Sequence, residues 1–488
     1  MDDARLLEYF ERLTRAQYEL LAGLSEGAHL GQIKEEYADL FTRDRVLAEQ
    51  AAFGAAQGVE RLRRRLRLRT VAGGYLSYET RHLLDRIQAW QTRESVELDG
   101  ETIPLRMVDK RLKNSPDPVF RRRLSDLHAA KATEVQPLLA ELWQTLAGLT
   151  AELGYAGYGQ AFAEWKALDG PLLERLAGEL LRETEQIYQA ALERFSREYA
   201  GIAPGGPVGS DIPWLMRGVE WDRYFPAEEV VGLQATVIRG LGLGDGALAH
   251  VRLDLEPREK KTARAFCAAV RVPEEIYLVV KPSGGHRDYE EFLHEMGHAL
   301  HFAHTNPNLP WERRYVLDDS VCESHAYLAA SLLRAPSFLE ARLRFDPGDA
   351  AGFAAYANFV DLIMVRRYCG KVLFEAAFQR TGDLAQAGLL YAAHMRRVLL
   401  VDVPGQVGLL ETDRGLYAYQ YLNAWFLEAM LRECLVKRFG PRWFDQPEAG
   451  AFLRALWAEG PACTQEMLLA RTGHEGLTAT ALAESFRI

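Results

Sequence analysis

The sequence predicts a mainly α-helical protein that also contains a small β-sheet. From Leu6 to about Tyr199, apolar residues return every three or four positions, which is the spacing of amphipathic helices. The segments Ala265–Val272 and Glu275–Val280 are instead rich in β-branched and aromatic residues, as strands are. Helical periodicity resumes at Asp288 and continues to the end of the sequence.

Turn-forming residues divide these helical segments. They interrupt the first half at three places: 98–100, 114–118 and 169–171. The segment Gly201–Ser210 is rich in glycine and proline and has no periodicity, which predicts a boundary between lobes. We therefore expect an N-terminal helical lobe over residues 1–200 and a second lobe over residues 211–488, whose last helices can pack on both.

The composition is that of a globular protein and excludes several classes of function. Of the 488 residues, 48% are hydrophobic and 26% are charged. A formal charge of −10 argues against a general nucleic-acid binder, which needs a positive surface. No apolar run approaches the length of about 18 residues that spans a membrane. Five cysteines without paired spacing and an acidic N-terminus unlike a secretory signal predict a cytoplasmic protein.

One run of positive charge requires an interpretation. Six arginines lie between Arg61 and Arg69. Leu62 and Leu66 have helical spacing within the run, so we interpret it as the solvated face of a helix rather than as a nucleic-acid patch.

The sequence HEMGH at residues 294–298 has the form H-E-x-x-H. On a helix, His294 and His298 lie one turn apart on the same face, so both imidazoles can bind one metal ion. Glu295 lies beside them, and its carboxylate can take a proton from a metal-bound water and deliver it to a leaving amine. Asp288 can cap this helix, with Glu291 as its capping-box partner. The alternative is that the two histidines bind no metal.

Three residues are candidates for a third ligand. His304 has the spacing of H-E-x-x-H-x-x-G-x-x-H, but His301 occupies the position where that motif needs glycine. Asp318 and Glu323 lie 20 and 25 residues after the second motif histidine, and spacing does not choose between them. Glu323 also has a structural alternative, because Ser320 and Glu323 fit a capping box. Two histidines and a glutamate would leave one zinc position open, as catalysis requires.

Four stretches together resemble the thimet oligopeptidase and oligoendopeptidase F family of zinc peptidases. They are Arg264–Cys267, His294–His301, the glutamate at position 323 and Leu416–Tyr421, and they cover about 160 residues. The resemblance implies that His294, His298 and Glu323 bind one zinc ion and that Glu295 is the general base and acid. It also implies a neurolysin-like zincin fold, in which two helical lobes surround a deep channel and a small β-sheet lies beside the active site.

The resemblance has two further implications for the active site. Substrate peptides are expected to pair with an edge strand of the sheet, and we expect Ile276–Val280 to be that strand. Tyrosines near the C-terminal end are expected to stabilise the oxyanion, and we favour Tyr419, then Tyr417. Aromatic core packing is the alternative for both. The glutamate at 323 is followed by Ser-His-Ala, where relatives typically have Pro-Ser-Gln.

These observations predict a cytoplasmic zinc metallopeptidase that cleaves internal bonds of short unstructured peptides by attack of a zinc-bound water that Glu295 activates. A zinc carboxypeptidase or dipeptidyl carboxypeptidase of related fold is the alternative among enzymes. A peptide-binding protein without turnover is the alternative of another class. The predicted partners are short peptides, with no nucleic acid and no membrane, and the oligomeric state is not predicted.

Overall fold

The computed structural model describes residues 3–25, 29–199, 201–202, 205–244 and 246–487. This part of the chain is mainly helical and contains a small sheet, which confirms the predicted class. Among the described residues, no helix combines the length and the apolar character needed to cross a bilayer.

The helices of the N-terminal half are α1 (Asp3–Leu21), α2 (His29–Glu36), α3 (Arg43–Ala55), α4 (Gly58–Glu79), α5 (Arg81–Arg93), α6 (Val108–Asn114), α7 (Pro118–Ala132), α8 (Gln136–Glu152), α9 (Tyr158–Lys166), α10 (Gly170–Glu183), α11 (Glu185–Glu198) and α12 (Ile212–Leu215). They are followed by α13 (Gly232–Gly240), α14 (His286–Ala303), α15 (Trp311–Tyr315), α16 (Asp319–Ala330), α17 (Pro336–Leu343), α18 (Pro347–Thr381), α19 (Ala387–Leu399), α20 (Tyr417–Phe439), α21 (Pro447–Trp457), α22 (Gln465–Thr472) and α23 (Thr480–Ser485). The strands are β1 (Ser95–Leu98), β2 (Glu101–Pro104), β3 (Val251–Asp254), β4 (Phe266–Arg271) and β5 (Glu275–Val279).

The predicted breaks correspond to identifiable turn and cap residues. Asp117 accepts a hydrogen bond from a backbone N–H in the first turn of α7, and Asp169 does the same for α10. Residues Asp99 and Gly100 form the two-residue turn of the β1–β2 hairpin, and both have positive φ. Aspartate followed by glycine suits such a turn, because these residues tolerate the left-handed region.

The three-stranded sheet has the order β3-β5-β4, with β3 parallel and β4 antiparallel to β5. The expectation that Ile276–Val280 is the edge strand is therefore wrong, because β5 is the central strand. All five of its residues are buried, as an apolar strand covered on both faces must be. In the described part of the chain β4 pairs with a strand on one side only, so β4 is an edge.

By its internal contacts the chain divides into two compact units. Unit 1 comprises Met1–Ala72, Val219–Ala355 and Asn423–Leu482, and unit 2 comprises Gly73–Gly218, Tyr356–Leu422 and Ala483–Ile488. This division differs from lobes of residues 1–200 and 211–488, which stay a prediction from the sequence. Four of the unit boundaries fall inside helices, namely α4, α18, α20 and α23, where no change in composition marks them.

Within unit 1 the sheet packs between two helices. Tyr18 of α1 joins a cluster with Ala268 and Tyr277, and the rings of Tyr18 and Tyr277 stack with centroids 3.8 Å apart. Ile276 belongs to a second cluster, which contains Ala299 of α14. Because neighbouring residues of a strand point to opposite faces, β5 binds α1 with one face and α14 with the other.

A buried carboxylate also holds α1 against the sheet. Glu275 is 3% exposed and accepts a hydrogen bond of 2.7 Å from the Arg15 guanidinium of α1. The Tyr277 hydroxyl donates at 2.7 Å and Arg271 at 3.0 Å to the same carboxylate. The hydrogen bond from Arg15 is the main cause that lowers the pKa of Glu275 to about 2. The Arg15–Glu275 ion pair and the apolar contacts of Tyr18 therefore both hold α1 against the sheet.

The variant Glu275→Gln is expected to lower the free energy of unfolding at pH 7 by about 1–3 kcal/mol. Because the folded-state pKa lies below the ordinary value of 4.5, this contribution is complete above pH 4.5 and is lost as the pH falls toward about 2. Urea unfolding from pH 7 down to pH 3 measures it. The exposed neighbour offers the control Glu274→Gln, which should change little. A constant difference between wild type and Glu275→Gln across this range would contradict the assignment.

Candidate metal centre

Helix α14 carries the H-E-x-x-H motif and starts at His286, two residues before the predicted start. Asp288 lies inside its first turn and accepts hydrogen bonds from the backbone N–H groups of Ser283 and Gly284, the latter at 2.8 Å. It therefore closes the start of the helix from within rather than as the preceding cap residue. Gly284 and Gly285 have φ of 85° and 90°, which glycine adopts without strain where the chain turns into α14.

The start of α16 determines what Glu323 can do. Asp318 precedes this helix, and its side chain accepts a hydrogen bond of 3.2 Å from the backbone N–H of Val321. Because Asp318 supplies the cap, the capping-box interpretation of Ser320 and Glu323 is wrong. Asp318 is also not among the residues whose ligand atoms converge, which are His294, His298 and Glu323. Burial raises its pKa to about 6.

The arginine run of α4 helps to hold α16. Arg69 donates to the Asp319 carboxylate at 2.7 Å and to the Leu317 carbonyl. Arg67 is only 6% exposed and forms an ion pair of 3.1 Å with Glu312. The interpretation of the whole run as a solvated face is therefore wrong for Arg67 and Arg69, which pair with Glu312 and Asp319, 245 and 250 residues away in the sequence.

Side chains of α14 and α16 converge on one point. The Nε2 atom of His294 lies 3.2 Å from Oε2 of Glu323, and Nε2 of His298 lies 3.7 Å from the same oxygen. The three ligand atoms all lie within 4.8 Å of one another. Zinc bonds of about 2.1 Å in tetrahedral geometry place neighbouring ligand atoms about 3.4 Å apart. The observed separations fit a single small cation.

Electrostatics couple the three side chains. Burial disfavours the charged form of His294, but the adjacent carboxylate of Glu323 outweighs burial and raises the pKa of His294. Burial lowers the pKa of His298. Burial also opposes the charged form of Glu323, but the two imidazoles hold the pKa of Glu323 below its usual range. The carboxylate is thus kept ionised, as a metal ligand must be.

A glycine permits the close approach of α14 and α16. A Cβ atom placed on Gly297 would lie 2.8 Å from Cα of Ala326 and 2.9 Å from the carbonyl oxygen of His325. Such distances are too short for any side chain. The absence of a Cβ at Gly297 therefore lets Glu323, one turn earlier on α16, reach both imidazoles.

The other candidate residues lie as follows. The ring of His304 hydrogen-bonds through Nδ1 to the Leu300 carbonyl at 2.9 Å and packs on Trp457, so it is not the third ligand. Burial raises the pKa of Cys267 on β4, and the charge of Glu295 adds to this effect. The charge of Glu295 therefore lies near enough to β4 to act on the Cys267 thiol.

Both candidate oxyanion tyrosines belong to unit 2, whereas the His-His-Glu cluster belongs to unit 1. Tyr419 is 5% exposed and its hydroxyl donates to the Val372 carbonyl at 3.3 Å, as the core-packing alternative expects. Tyr417 is 44% exposed and lines a cleft of about 750 Å³ within unit 2. The catalytic role of either hydroxyl stays a prediction from the sequence.

Tyr327 lies beside the cluster and was not predicted from the sequence. The ring of Tyr327 lies 5.3 Å from that of His294 and stacks on Trp425, with centroids 4.5 Å apart. The available signal was its position four residues after Glu323, because that spacing places both side chains on one face of a helix.

No protein-family model matches the chain, and no curated protein matches it. The chemistry of the site is therefore inferred from its own ligand atoms. Two imidazoles and one carboxylate are ligands that suit zinc and other divalent transition metals. A further carboxylate, that of Glu295, follows the first of these imidazoles in the sequence.

Single substitutions of His294, His298 or Glu323 by alanine are expected to weaken zinc binding at least about 100-fold, because each removes one of three ligands. Competition of metal-stripped protein with a chromophoric zinc chelator measures the affinity. The matched control is His304→Ala, which removes a nearby histidine that hydrogen-bonds to Leu300 instead. Unchanged affinity in Glu323→Ala, or an equal loss in His304→Ala, would contradict this ligand set.

The variant Gly297→Ala is expected to destabilise the metal-free protein by about 1–3 kcal/mol, because the methyl group must push α14 and α16 apart. Zinc affinity should fall as well. The control is Gly54→Ala at an exposed position of α3, where nothing lies within 4 Å of the added carbon and the higher helix propensity of alanine should stabilise the protein slightly. Thermal unfolding measures both variants, and equal behaviour of the two would disprove the close-approach argument.

Proposed function

We propose that the protein is a zinc metallopeptidase that hydrolyses internal bonds of short unstructured peptides. The observation that carries the proposal is the convergence of His294, His298 and Glu323, with Glu295 in the same motif. Catalytic zinc sites use three protein ligands and keep one position open, whereas structural sites use four. A cluster of three ligands therefore supports a catalytic site.

The residues present fit a bound cation. Oε2 of Glu323 is buried and has no well-directed hydrogen-bond donor among the described residues, although two imidazole nitrogens lie within 3.7 Å of it. A buried carboxylate oxygen without such a donor is costly unless a cation compensates it. A zinc ion held by these three atoms would supply that compensation.

The chain's own groups then have distinct tasks. Zinc, when bound, supplies a Lewis acid that polarises a carbonyl and makes water more acidic. His294, His298 and Glu323 hold and orient the ion. The Glu295 carboxylate accepts a proton from the attacking water and delivers it to the leaving amine. The edge strand β4 offers backbone groups with which an extended peptide can pair, whatever the peptide's side chains.

The remaining parts of the proposal come from the sequence resemblance. They are the neurolysin-like zincin fold, with two lobes around a channel, and the cytoplasmic location. A peptide that pairs through its backbone must be extended, which supports short unstructured substrates rather than folded proteins. We propose cleavage at internal bonds, with release of C-terminal residues as the alternative.

The variant Glu295→Gln tests the enzymatic part of the proposal. It should bind zinc with near wild-type affinity and lose at least about 100-fold in kcat, because glutamine cannot accept the proton. Internally quenched peptides of graded length measure turnover, and product analysis separates internal cleavage from release of C-terminal residues.

The control for this variant is Glu290→Gln, which changes a glutamate of the same helix that pairs with Arg287 at 2.7 Å. It should keep wild-type turnover. Full activity of Glu295→Gln would refute the proposed role of this residue. A wild type that binds one zinc ion but cleaves no peptide would indicate a peptide-binding protein.

A pair of tyrosine variants tests the oxyanion prediction. Tyr417→Phe should lower kcat about 10-fold to 1,000-fold with little change in KM if its hydroxyl donates to the oxyanion. Tyr419→Phe should instead reduce thermal stability by about 1 kcal/mol and leave kcat unchanged, since its hydroxyl donates to Val372. A loss of kcat in Tyr419→Phe alone would assign the oxyanion donor to Tyr419. Wild-type kcat in both variants would exclude both tyrosines as oxyanion donors.

A further inference from the structure

We propose that His325 is a positioning residue for the metal site, which completes the hydrogen bonding of the ligand His298 through one bridging water. The inference rests on the proposed function only in that His298 binds the metal. His325 touches neither substrate nor metal in this account, and it acts by fixing the orientation of a ligand ring.

Metal binding would fix the tautomer of His298. Its Nε2 atom is the one that faces Glu323, so metal binding through Nε2 leaves the ring proton on Nδ1. Metal-bound histidines almost always donate this second N–H to a carboxylate, a carbonyl or a water. Nδ1 of His298 is buried and has no hydrogen-bond partner among the described residues. An acceptor is therefore required on this side of the ring.

His325 packs against α14. Its carbonyl oxygen lies 2.9 Å from the place of a Cβ on Gly297, which puts His325 against α14 beside His298. The ring of His325 packs on His301, with centroids 4.7 Å apart and ring planes at 64°. His301 lies three residues after His298, so both side chains lie on neighbouring parts of one helix face. His301 and His325 thus form a buried pair, and His298 lies one turn before His301 on α14.

The ring of His325 is a buried polar group. His325 is 4% exposed, and its Nδ1 atom has no hydrogen-bond partner in the part of the chain that the structure describes. Phe302 packs against the ring of His298, and Trp457 packs near that of His325. Two buried ring nitrogens on facing helices thus share mostly apolar surroundings. Buried polar atoms are rarely left without a partner, and a water between them would satisfy both.

Both carboxylates near the start of α16 have other partners. Asp318 accepts the backbone N–H of Val321, and Asp319 is held by Arg69. In this proposal, His325 helps to orient the His298 ring, which is the role that a carboxylate has in many metal sites.

The test compares His325→Phe and His325→Asn in the full chain. Phenylalanine keeps a ring but removes both nitrogens, whereas the side-chain oxygen of asparagine stands close to the position of Nδ1. Zinc affinity is measured on metal-stripped protein by chelator competition. His325→Phe should bind zinc about 10-fold to 100-fold more weakly, and His325→Asn should recover most of this loss.

Two further readouts separate positioning from folding. The metal-free melting temperature of His325→Phe should equal or exceed that of wild type, because a buried polar ring is replaced by an apolar one. The visible spectrum of the cobalt-substituted protein should shift in His325→Phe and not in the control His304→Phe, whose histidine bonds to Leu300.

Wild-type zinc affinity in His325→Phe would overturn the inference, as would an equal loss in His325→Asn. Both outcomes are independent of turnover. If the affinities change as expected but the wild type cleaves no peptide, His325 keeps its role and only the peptidase proposal fails. If the wild type cleaves peptides while His325→Phe binds zinc normally, the peptidase proposal stands and this inference fails.

Discussion

The close crossing of α14 and α16 at Gly297 is the constraint on which the candidate site depends. The motif on α14 supplies two imidazoles one turn apart, but a third ligand must come from another helix that lies almost in backbone contact. A side chain at Gly297 would meet Ala326 and the His325 carbonyl at less than 3 Å, so only glycine permits that approach. The sheet supports α14 on its other side, and Arg15 and Glu275 in turn hold α1 against the sheet. The geometry of the cluster thus depends on the absence of a side chain at Gly297.

The direction in which Glu323 points follows from how α16 begins. Asp318 caps the helix and Arg69 holds Asp319, so the helix start needs no carboxylate from Glu323. The Glu323 side chain is left to lie between the two imidazoles, where they keep it ionised. A carboxylate with one buried oxygen beside two imidazole nitrogens is an arrangement that gains from a cation, and the proposed chemistry of Glu295 requires such a cation beside it.

Patterns that are local in sequence predicted the helical class and the helix that carries the motif, whereas features that depend on distant partners were not predicted. The helical class and the placement of His294 and His298 on one helix follow from periodicity and a five-residue motif. Glu323 could not be chosen from spacing, because the cap at Asp318 becomes visible only when the helix boundary is known. The central position of β5 was missed because β3 is a short strand with two charged residues, Arg252 and Asp254, and gives no strand signal. The burial of Arg67 and Arg69 was not predicted, because Glu312 and Asp319, with which they pair, lie 245 and 250 residues away.

The central claim is that His294, His298 and Glu323 form a three-ligand zinc centre. X-ray absorption at the zinc edge, on protein loaded with one equivalent of zinc, tests it most directly. The account predicts nitrogen and oxygen ligands at about 2.0–2.1 Å, with the outer-sphere scattering of two imidazoles and no sulfur. Replacement of Glu323 by alanine should keep both imidazoles and change the oxygen shell. Sulfur scattering from a cysteine, or a shell of oxygen alone without imidazole, would contradict the account.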